Sequence, residues 1–563
     1  MAATSRRRVQ TGNRVNKLFA KRIPAPILVA LVALLLATAA NATFWSTFVR
    51  AAGGLSASSL PLLAGTFLIV VLFFNACLTL ASFRFVAKPL LIVLVLGAAV
   101  ASHFIAAYGI VIDKAMIQNV FETDHREVLE LLNWQLVVRI LVLGVLPSVW
   151  IARAEIRFAH GLRGMLGRSG IAAGSVLLAA MLLMLLFKSL APALHEHREL
   201  RFLLVPTNVI QAVHGYLRSQ WSRPPVVAPL GRDAVKGAAW AGQTRRTLTV
   251  IVVGETARAA SFSLNGYGRE TNPRLARTEG LINFSNVSSC GTATAVSVPC
   301  VFSNLGRDGY SQSKAASQEG LLDVLAHAGL AVLWRDNNSG CKGVCDRIKY
   351  QDLSRPAPHD NRCAGDECYD ERLLDGLPEL IRNSKQDLVL VLHQKGSHGP
   401  AYASRYPQGF GRFGQVCDGS QFEKCTRASI QAAYDNTILY TDYVLSRAIE
   451  QLRDISRREE VDTALLYFSD HGESLGEGNV YLHGAPYLFA PNEQTRVPMM
   501  LWLSDGFSRR FRIDRTCLEA RRGQALSHDN VFHSVLGMLD INTAVLNPRL
   551  DLFHACVREP SHV

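Results

Sequence analysis

Long apolar runs fill the first 190 residues and separate them from the rest of the chain. The runs lie at 26–45, 60–83, 89–112, 136–151 and 171–190. A helix needs about 20 apolar residues to cross the hydrocarbon core of a bilayer, and the fourth run alone is shorter. That run carries Arg139, whose side chain can reach the headgroups. The pattern predicts five membrane-spanning helices rather than a signal peptide followed by buried core helices.

Beyond residue 246, short β-branched and apolar runs alternate with helical stretches. Strands are predicted at 247–254, 330–335, 387–393, 463–469 and 497–503. Continuous apolar strands that alternate with helices indicate a sheet covered on both faces, an α/β/α sandwich. Between the halves, a helix-like segment suited to a membrane surface precedes a linker rich in Pro, Gly and Ala. We predict a transmembrane domain at 1–190, a connector at 191–246 and an exported domain at 247–563.

Basic residues predict the orientation of the spans. Arg and Lys are frequent in the amino-terminal arm and in the loops after the second and fourth runs, and the other two loops are poor in them. Because cytoplasmic loops carry this excess, the amino terminus is predicted to be cytoplasmic and the exported domain lies across the membrane. The net charge of +13 then fits attraction to anionic headgroups better than nucleic-acid binding.

The cysteines support the exported location. Ten of the 11 lie beyond residue 289, and Cys77 lies in an apolar run. An even set at short spacings on the exported side indicates disulfides. The predicted pairs are Cys290–Cys300, Cys341–Cys345, Cys363–Cys368 and Cys417–Cys425, which leaves Cys517–Cys556. A structural zinc site is the alternative for Cys341 and Cys345, whose spacing also suits metal ligands.

Polar and titratable side chains come after four of the predicted strands. They include Glu255, Asn338, Lys342, His398, Asp470, His471, Glu473 and His483. Ligands of such sheets collect beyond the carboxyl ends of the strands, so we expect these groups to meet. Carboxylate and imidazole together suit zinc or another divalent cation, although any single acidic residue after a strand is more often a helix cap.

The segment CGTATAVSVPC, residues 290–300, places three hydroxyl side chains between two cysteines. Gly291 permits a sharp turn, and a short helix after it would direct free backbone N–H groups at an anion. A hydroxyl beside a divalent cation can lose its proton near neutral pH and attack phosphorus. Spacing does not choose between Thr292 and Thr294, and caps or core hydroxyls are the alternative for both and for Ser297.

Several motifs resemble those of the phosphoethanolamine–lipid A transferases. They are VVGETARAASFSLNGYGRETNP, SSCGTATAVSVPC, WRDNNSGCKGVCDR, GSHGPAY and FSDHGESLGE. That family includes the mobile colistin-resistance enzymes and belongs to the alkaline phosphatase/sulfatase-like superfamily, and the likeness covers nearly the whole chain. It implies a five-helix transmembrane bundle and a periplasmic catalytic domain with the α/β/α sandwich of that superfamily. It also implies a monomer in the bacterial inner membrane.

The resemblance assigns roles to individual residues. It implies that the Zn²⁺ ligands are Glu255, Thr294, Asp470 and His471, with Thr294 also the nucleophile. It places five residues around the phosphoryl group, some of them associated with a second zinc ion: Asn338, Lys342, His398, Glu473 and His483. From these positions we expect His398 or His483 to protonate the departing oxygen of the donor and Lys342 to offset phosphate charge. In the acidic loop, the positions that match the donor-lipid cavity are Asn119, Thr123 and Glu127.

The implied reaction transfers phosphoethanolamine from phosphatidylethanolamine to a phosphate of lipid A through a covalent intermediate on threonine. Less negative surface charge would then lower susceptibility to cationic peptides such as polymyxin. Alternatives are a transferase for another envelope glycan, a phosphodiester hydrolase, a sulfatase and a non-enzymatic membrane sensor. The Cys/Ser-x-Pro-x-Arg pattern of sulfatases is absent around Thr294, and the intact ligand set argues against a sensor.

Overall fold

A computed structural model of the chain describes residues 23–122, 131–197, 200–220, 226–356, 360, 362–364, 367–419 and 422–558. The chain divides into two compact units, one of residues 1–113 and 132–213 and the other of residues 114–131 and 214–563. The segment that begins at residue 114 therefore belongs to the second unit, although in sequence it lies between apolar helices of the first. The domain boundaries at residues 190 and 246 stay predictions.

Helices make up most of the described chain up to residue 220. They are α1 (Ala25–Ala51), α2 (Leu60–Ala81), α3 (Ala87–Tyr108), α4 (Lys114–Glu122), α5 (Trp134–Arg153), α6 (Gly161–Glu196), α7 (Leu200–Leu203) and α8 (Thr207–Gln220). Of these, α4 and the last residues of α8 belong to the second unit. Five of them, α1, α2, α3, α5 and α6, are long and apolar enough to cross a membrane. This result confirms the five spans expected from the apolar runs.

Small and polar residues bring the apolar helices together. A Cβ atom at Gly65 on α2 would overlap the end of the Leu186 side chain on α6, so these helices pack closely at this glycine. Asn41 in α1 is buried, and its side chain donates to the carbonyl of Val205 and accepts from the N–H of the same residue. The segment before α8 is thereby fixed to the first helix.

One mixed sheet organises the second unit. Its strands are β1 (Arg246–Gly254), β2 (Leu281–Ser288), β3 (Ala331–Asp336), β4 (Lys349–Asp352), β5 (Leu388–His393), β6 (Val461–Ser469), β7 (Arg496–Leu503) and β8 (Leu526–Ser527). The spatial order is β8-β2-β7-β6-β1-β5-β3-β4. Of these eight strands β7 alone runs against the others, because it pairs antiparallel with both β6 and β2. All five predicted strands form, and β2, β4 and β8 are additional.

Helices cover both faces of this sheet. They are α9 (Thr294–Val301), α10 (Gly306–Gly309), α11 (Gln312–Ala316), α12 (Leu321–His327), α13 (Leu377–Asn383), α14 (Arg427–Arg458), α15 (Asn492–Thr495), α16 (Asp505–Arg510), α17 (Arg515–Ala520) and α18 (Asp529–Met538). The buried residues of α9, α12 and α18 share one core with Ile251, Val391 and Phe468 of the central strands. Alternate residues of those strands face the opposite way, where α14 packs on β6. The α/β/α sandwich is thus confirmed.

Disulfides join the ten cysteines beyond residue 289 as predicted. The pairs are Cys290–Cys300, Cys341–Cys345, Cys363–Cys368, Cys417–Cys425 and Cys517–Cys556. Cys77, on α2, is free. Because Cys341 and Cys345 bond to each other, they are not the ligands of a structural zinc ion.

Candidate metal centre

The register of the central strands brings the predicted site residues to one edge of the sheet. Ser469 at the end of β6 pairs with Gly254 at the end of β1, and His393 at the end of β5 pairs with Val253 and Asp336. These parallel strands therefore stop level with one another. The residues immediately after each strand lie close together, as expected for the carboxyl edge of such a sheet.

Three buried ligand groups meet there. Glu255, Asp470 and His471 each offer one ligand atom, and these atoms all lie within 4.8 Å of one another. The hydroxyl of Thr294 joins them, since its Oγ1 lies 3.1 Å from each carboxylate oxygen of Glu255 and 3.3 Å from Nε2 of His471. The four side chains predicted as one ligand set are thus brought together.

The donor set suits a divalent cation. Oδ1 of Asp470 accepts hydrogen bonds from the backbone N–H groups of Thr256 and His471, whereas its buried Oδ2 has no hydrogen-bond partner among the described residues. Nδ1 of His471 lies 2.9 Å from the carbonyl oxygen of Gly472, which fixes a proton on Nδ1 and turns Nε2 toward the carboxylates. This carboxylate oxygen lies 3.4 Å from Nε2 of His471, and a carboxylate oxygen beside an oriented imidazole nitrogen is a pair of ligands that zinc takes.

The electrostatics of these side chains point the same way. Burial and the neighbouring Glu255 raise the pKa of Asp470 to about 6. Burial opposes the charged form of His471, but the two carboxylates outweigh it and raise the pKa of the imidazole to about 10. Burial also opposes the charge of Glu255, yet the hydrogen bond and charge of His471 hold its pKa well below the usual value. The two buried carboxylates are stable only beside a positive charge. A bound cation would supply that charge in place of the proton on the imidazolium group.

Helix α9 determines which hydroxyl of residues 290–300 faces the carboxylates. Thr294 is its first residue. Thr292 Oγ1 instead donates to the carbonyl of Ala485, and Ser297 Oγ donates to the carbonyl of Asp470. The structure therefore resolves the choice that spacing left open, because Thr292 and Ser297 use their hydroxyls to fix backbone.

A second group of side chains adjoins the first. The ring of His483 lies 4.4 Å from that of His471 and 5.5 Å from that of His398, measured between centroids. Nδ1 of His483 is 3.3 Å from Oε1 of Glu473, which is fully buried. Burial, followed by the charge of Lys395, lowers the pKa of His398 well below its ordinary value. His398, Glu473 and His483 thus form a cluster beside the first, as the sequence predicted.

The loop after β3 supplies the remaining predicted groups. Nδ2 of Asn338 donates to Oε2 of Glu255 at 2.7 Å, so this amide contacts the ligand set directly. Nζ of Lys342 donates to the carbonyl and the hydroxyl of Ser339. Lys342 also lines a cavity of about 640 Å³, together with Ala295 of α9 and Gln118 of α4.

The donor-lipid positions are only partly described. Asn119 is half-buried on α4, one residue from the Gln118 that lines the cavity. Thr123 and Glu127 lie outside the described residues. Helix α4 belongs to the same unit as the metal centre, and Phe121 on it stacks on Tyr216 at 4.9 Å between ring centroids.

Two buried histidines near the site were not predicted. His393 pairs with Asp336 at 3.0 Å through Nδ1, and its Nε2 lies 3.3 Å from Nδ2 of Asn338. Nδ1 of His528 accepts the backbone N–H of Cys290 at 3.1 Å. His393 could have been found, because it is the last residue of a predicted strand. His528 carries no comparable signal in the sequence.

The comparisons with known proteins agree with this geometry. Residues 247–541 match the sulfatase family model, and residues 70–221 match the model described as phosphoethanolamine transferase EptA/EptB. Phosphoethanolamine transferase EptA of Escherichia coli K12 is 41% identical over 486 residues, 86% of this chain and 88% of that protein. Phosphatidylethanolamine transferase Mcr-1 of Escherichia coli is 40% identical over 493 residues, 84% of this chain and 89% of that protein.

A solved structure covers both units. The integral membrane lipooligosaccharide phosphoethanolamine transferase A of Neisseria meningitidis matches with a TM-score of 0.90 and 35% identity, over 96% of this chain and all of that one. Fold and site together define a membrane-anchored enzyme of the sulfatase-like class. Within that class, the chain belongs to the phosphoethanolamine transferases.

Proposed function

We propose that this protein moves phosphoethanolamine from phosphatidylethanolamine to a phosphate of lipid A, through a covalent intermediate on Thr294. The observation that carries the proposal is the position of Thr294 Oγ1, in contact with Glu255 and His471 in the buried ligand set. A threonine whose hydroxyl faces two carboxylate oxygens and an imidazole is placed for nucleophilic attack once that hydroxyl has lost its proton. The names of the relatives support the transferred group.

The ligand set would hold a zinc ion through Glu255, Asp470, His471 and the oxygen of Thr294. A zinc ion bound there supplies Lewis-acid chemistry, which lowers the pKa of a bound hydroxyl and offsets charge on phosphoryl oxygens. The second group, His398, Glu473 and His483, offers two imidazoles and one carboxylate. These residue types also suit a second zinc ion.

Two displacements complete the reaction. In the first, Oγ1 of Thr294 releases its proton to solvent and forms a bond to phosphorus, the bond to the glycerol oxygen breaks, and diacylglycerol leaves with a proton from His398 or His483. In the second, a phosphate oxygen of lipid A bonds to the same phosphorus, the bond between phosphorus and Oγ1 breaks, and Thr294 and the histidine regain their protons from solvent. Asn338 and Lys342 offset charge on the transferring group. Each step is positioning and electrostatic stabilisation, as phosphoryl transfer requires.

We infer the location from the basic loops and from the proposed substrates. We place the protein as a monomer in the inner membrane, with the amino terminus cytoplasmic and the catalytic unit periplasmic. Donor and acceptor are both lipids, so anchoring the enzyme in the membrane supplies proximity. Adding an ethanolamine cation to a lipid A phosphate lowers surface negativity and, with it, binding of cationic peptides such as polymyxin.

The test compares Thr294→Ala with Thr294→Ser. Mass spectrometry of lipid A from expressing cells should show added phosphoethanolamine with the wild type, a reduced amount with the serine variant and none with the alanine variant. Intact-protein mass spectrometry should find the phosphoethanolamine adduct only where a hydroxyl remains. Lipid A modification by Thr294→Ala would refute the intermediate, whereas free phosphoethanolamine with unmodified lipid A would identify a hydrolase.

A further inference from the structure

A second cavity lies at the edge of the sheet opposite the metal centre. Its volume is about 640 Å³, and it lies where β1 and β6 begin and where β7 ends. Strand β1 has nine residues, which at about 3.3 Å each separates this cavity from Glu255 by about 30 Å. The transfer reaction therefore does not use it.

Arginines dominate the lining of this cavity. The six are Arg245, Arg453, Arg457, Arg509, Arg510 and Arg515, against the three carboxylates Glu279, Asp462 and Asp505. Asp462 pairs with Arg245 at 3.1 Å and with Arg510 at 3.3 Å, and Asp505 pairs with Arg515 at 3.0 Å. Two of the three carboxylates are thus already neutralised, and the cavity keeps an excess of positive charge.

Part of this lining is fixed in place. Arg453 donates to the carbonyl of Glu279 at 2.7 Å, and its guanidinium group lies 5.5 Å from the centroid of the Trp502 ring. Arg457 and Arg509 are exposed, and their side chains make no hydrogen bond or ion pair with any described residue. The cavity therefore combines guanidinium groups held by the fold with others whose donors are open to a ligand.

These features select a ligand by chemistry. A guanidinium group binds phosphate through two parallel hydrogen bonds, and several converging groups favour a multiply charged anion over a single carboxylate. A volume of a few hundred Å³ accommodates a sugar phosphate or a lipid headgroup. We infer that this cavity binds phosphate monoester groups, borne by a lipid or free in solution. The inference stands independently of the proposed transfer reaction.

The experiment titrates inorganic phosphate into the full-length protein, in phosphatidylcholine nanodiscs and phosphate-free buffer, by isothermal calorimetry. The double variant Arg457→Ala/Arg509→Ala removes the two arginines without described partners, so its fold should be retained. We expect phosphate binding at this cavity to weaken at least about tenfold, since two charge-assisted contacts are lost. Any phosphate bound at the metal centre should remain in both proteins.

The matched control is Arg522→Ala/Arg549→Ala, which removes two exposed arginines outside the cavity. It should bind phosphate like the wild type. Equal weakening in both double variants would show a response to net charge alone and would overturn the inference. Unchanged binding in Arg457→Ala/Arg509→Ala would overturn it as well.

A final arm identifies the source of the phosphate. The titration is repeated in nanodiscs that contain phosphatidic acid, whose headgroup is a phosphate monoester. Competition that weakens phosphate binding in the wild type supports the site and assigns it to a lipid headgroup. Unchanged binding in these nanodiscs, with the tenfold loss in the cavity variant, supports the site for phosphate free in solution. Absence of cavity binding in every nanodisc would refute it.

Discussion

The two edges of the catalytic sheet handle charge in opposite ways. At the carboxyl edge Glu255, Asp470 and His471 are fully buried and lie within reach of one ion. At the amino edge, Arg457 and Arg509 are exposed to water. A buried carboxylate is unfavourable without a compensating positive group, whereas an exposed arginine is stable when it is merely solvated. We therefore expect the first edge to depend on a bound cation, and the second to bind and release an anion without consequence for the fold.

Removing a carboxylate should have the largest effect, and only at the carboxyl edge. Asp470→Asn keeps the shape of the side chain and removes the charge of a proposed ligand, so we expect transfer to fall by about three orders of magnitude. Bound zinc, measured by elemental analysis, should fall with it. Asp505→Asn at the amino edge is the control and should keep full activity. Normal zinc content in Asp470→Asn would contradict the assigned ligand.

The second largest effect is expected from removing the cation, which should lower the stability of the carboxyl edge and leave the amino edge unaffected. A chelator leaves two buried carboxylates balanced by one imidazolium, so we expect the melting temperature of the full-length protein to fall by about 5 °C or more. Scanning fluorimetry in detergent measures the change, and added zinc should reverse it. The variant Arg457→Ala/Arg509→Ala should show the same fall. A melting temperature that is unchanged by the chelator would mean that no stabilising cation is bound.

The two disulfides Cys517–Cys556 and Cys290–Cys300 should differ in their effects on stability and on activity. Replacing Cys517 and Cys556 by serine opens a long loop and should destabilise the fold by about 4 kcal/mol, whereas the shorter Cys290–Cys300 loop accounts for about 3 kcal/mol. Transfer should suffer more in the second variant, because that bridge frames Thr294. Melting temperature and transfer rate are measured together for both. Equal activity in the two variants would remove any positioning role of the Cys290–Cys300 bridge.

A buried histidine on α18 should give a smaller, pH-dependent effect. Burial lowers the pKa of His533 to about 4, and its Nδ1 accepts the N–H of Asn547. The unfolded chain binds this proton more readily, so the stability is fully present above about pH 6.5 and is lost as the pH falls toward 4. Between pH 7 and pH 5 the loss is about 2 kcal/mol. His533→Asn should flatten the melting temperature over that range, and an unchanged slope would contradict the shift.

The smallest effect is expected from the arginines themselves. Arg457→Ala/Arg509→Ala should leave the rate of phosphoethanolamine transfer within about twofold of the wild type, because the altered side chains lie about 30 Å from Thr294. The assay uses purified lipid substrates at saturating concentration. A large loss of rate would mean that the two edges are linked and do not act independently.

The sequence predicted the elements that have continuous apolar patterns, namely the membrane spans and the central strands. Unbroken apolar runs identified the five spans, and the central strands were recognisable because both of their faces are buried. Strand β2 was missed because its residues alternate in burial, and β4 because all four of its residues are exposed. The antiparallel direction of β7 could not be predicted from the sequence either. A short apolar strand has the same residue pattern in a parallel and in an antiparallel position.

In the candidate site, too, some contacts could be predicted from the sequence and others could not. Glu255, Asp470 and His471 come directly after strands, so their meeting could be expected from topology. The contact between Asn338 and Glu255 and the support of Cys290 by His528 depend on loops that fold across the sheet. Such contacts join residues far apart in sequence, and periodicity holds no information about them.

Helix α4 bears on which fragments of this protein can be studied. It lies between two membrane helices in sequence, yet it belongs to the unit that contains Thr294, and its Gln118 forms part of the wall shared with Lys342. A recombinant fragment that starts after the last membrane helix would keep every residue of the zinc ligand set and lose that wall. We expect such a fragment to bind metal and to show a changed affinity for phosphatidylethanolamine, the donor in the proposed reaction.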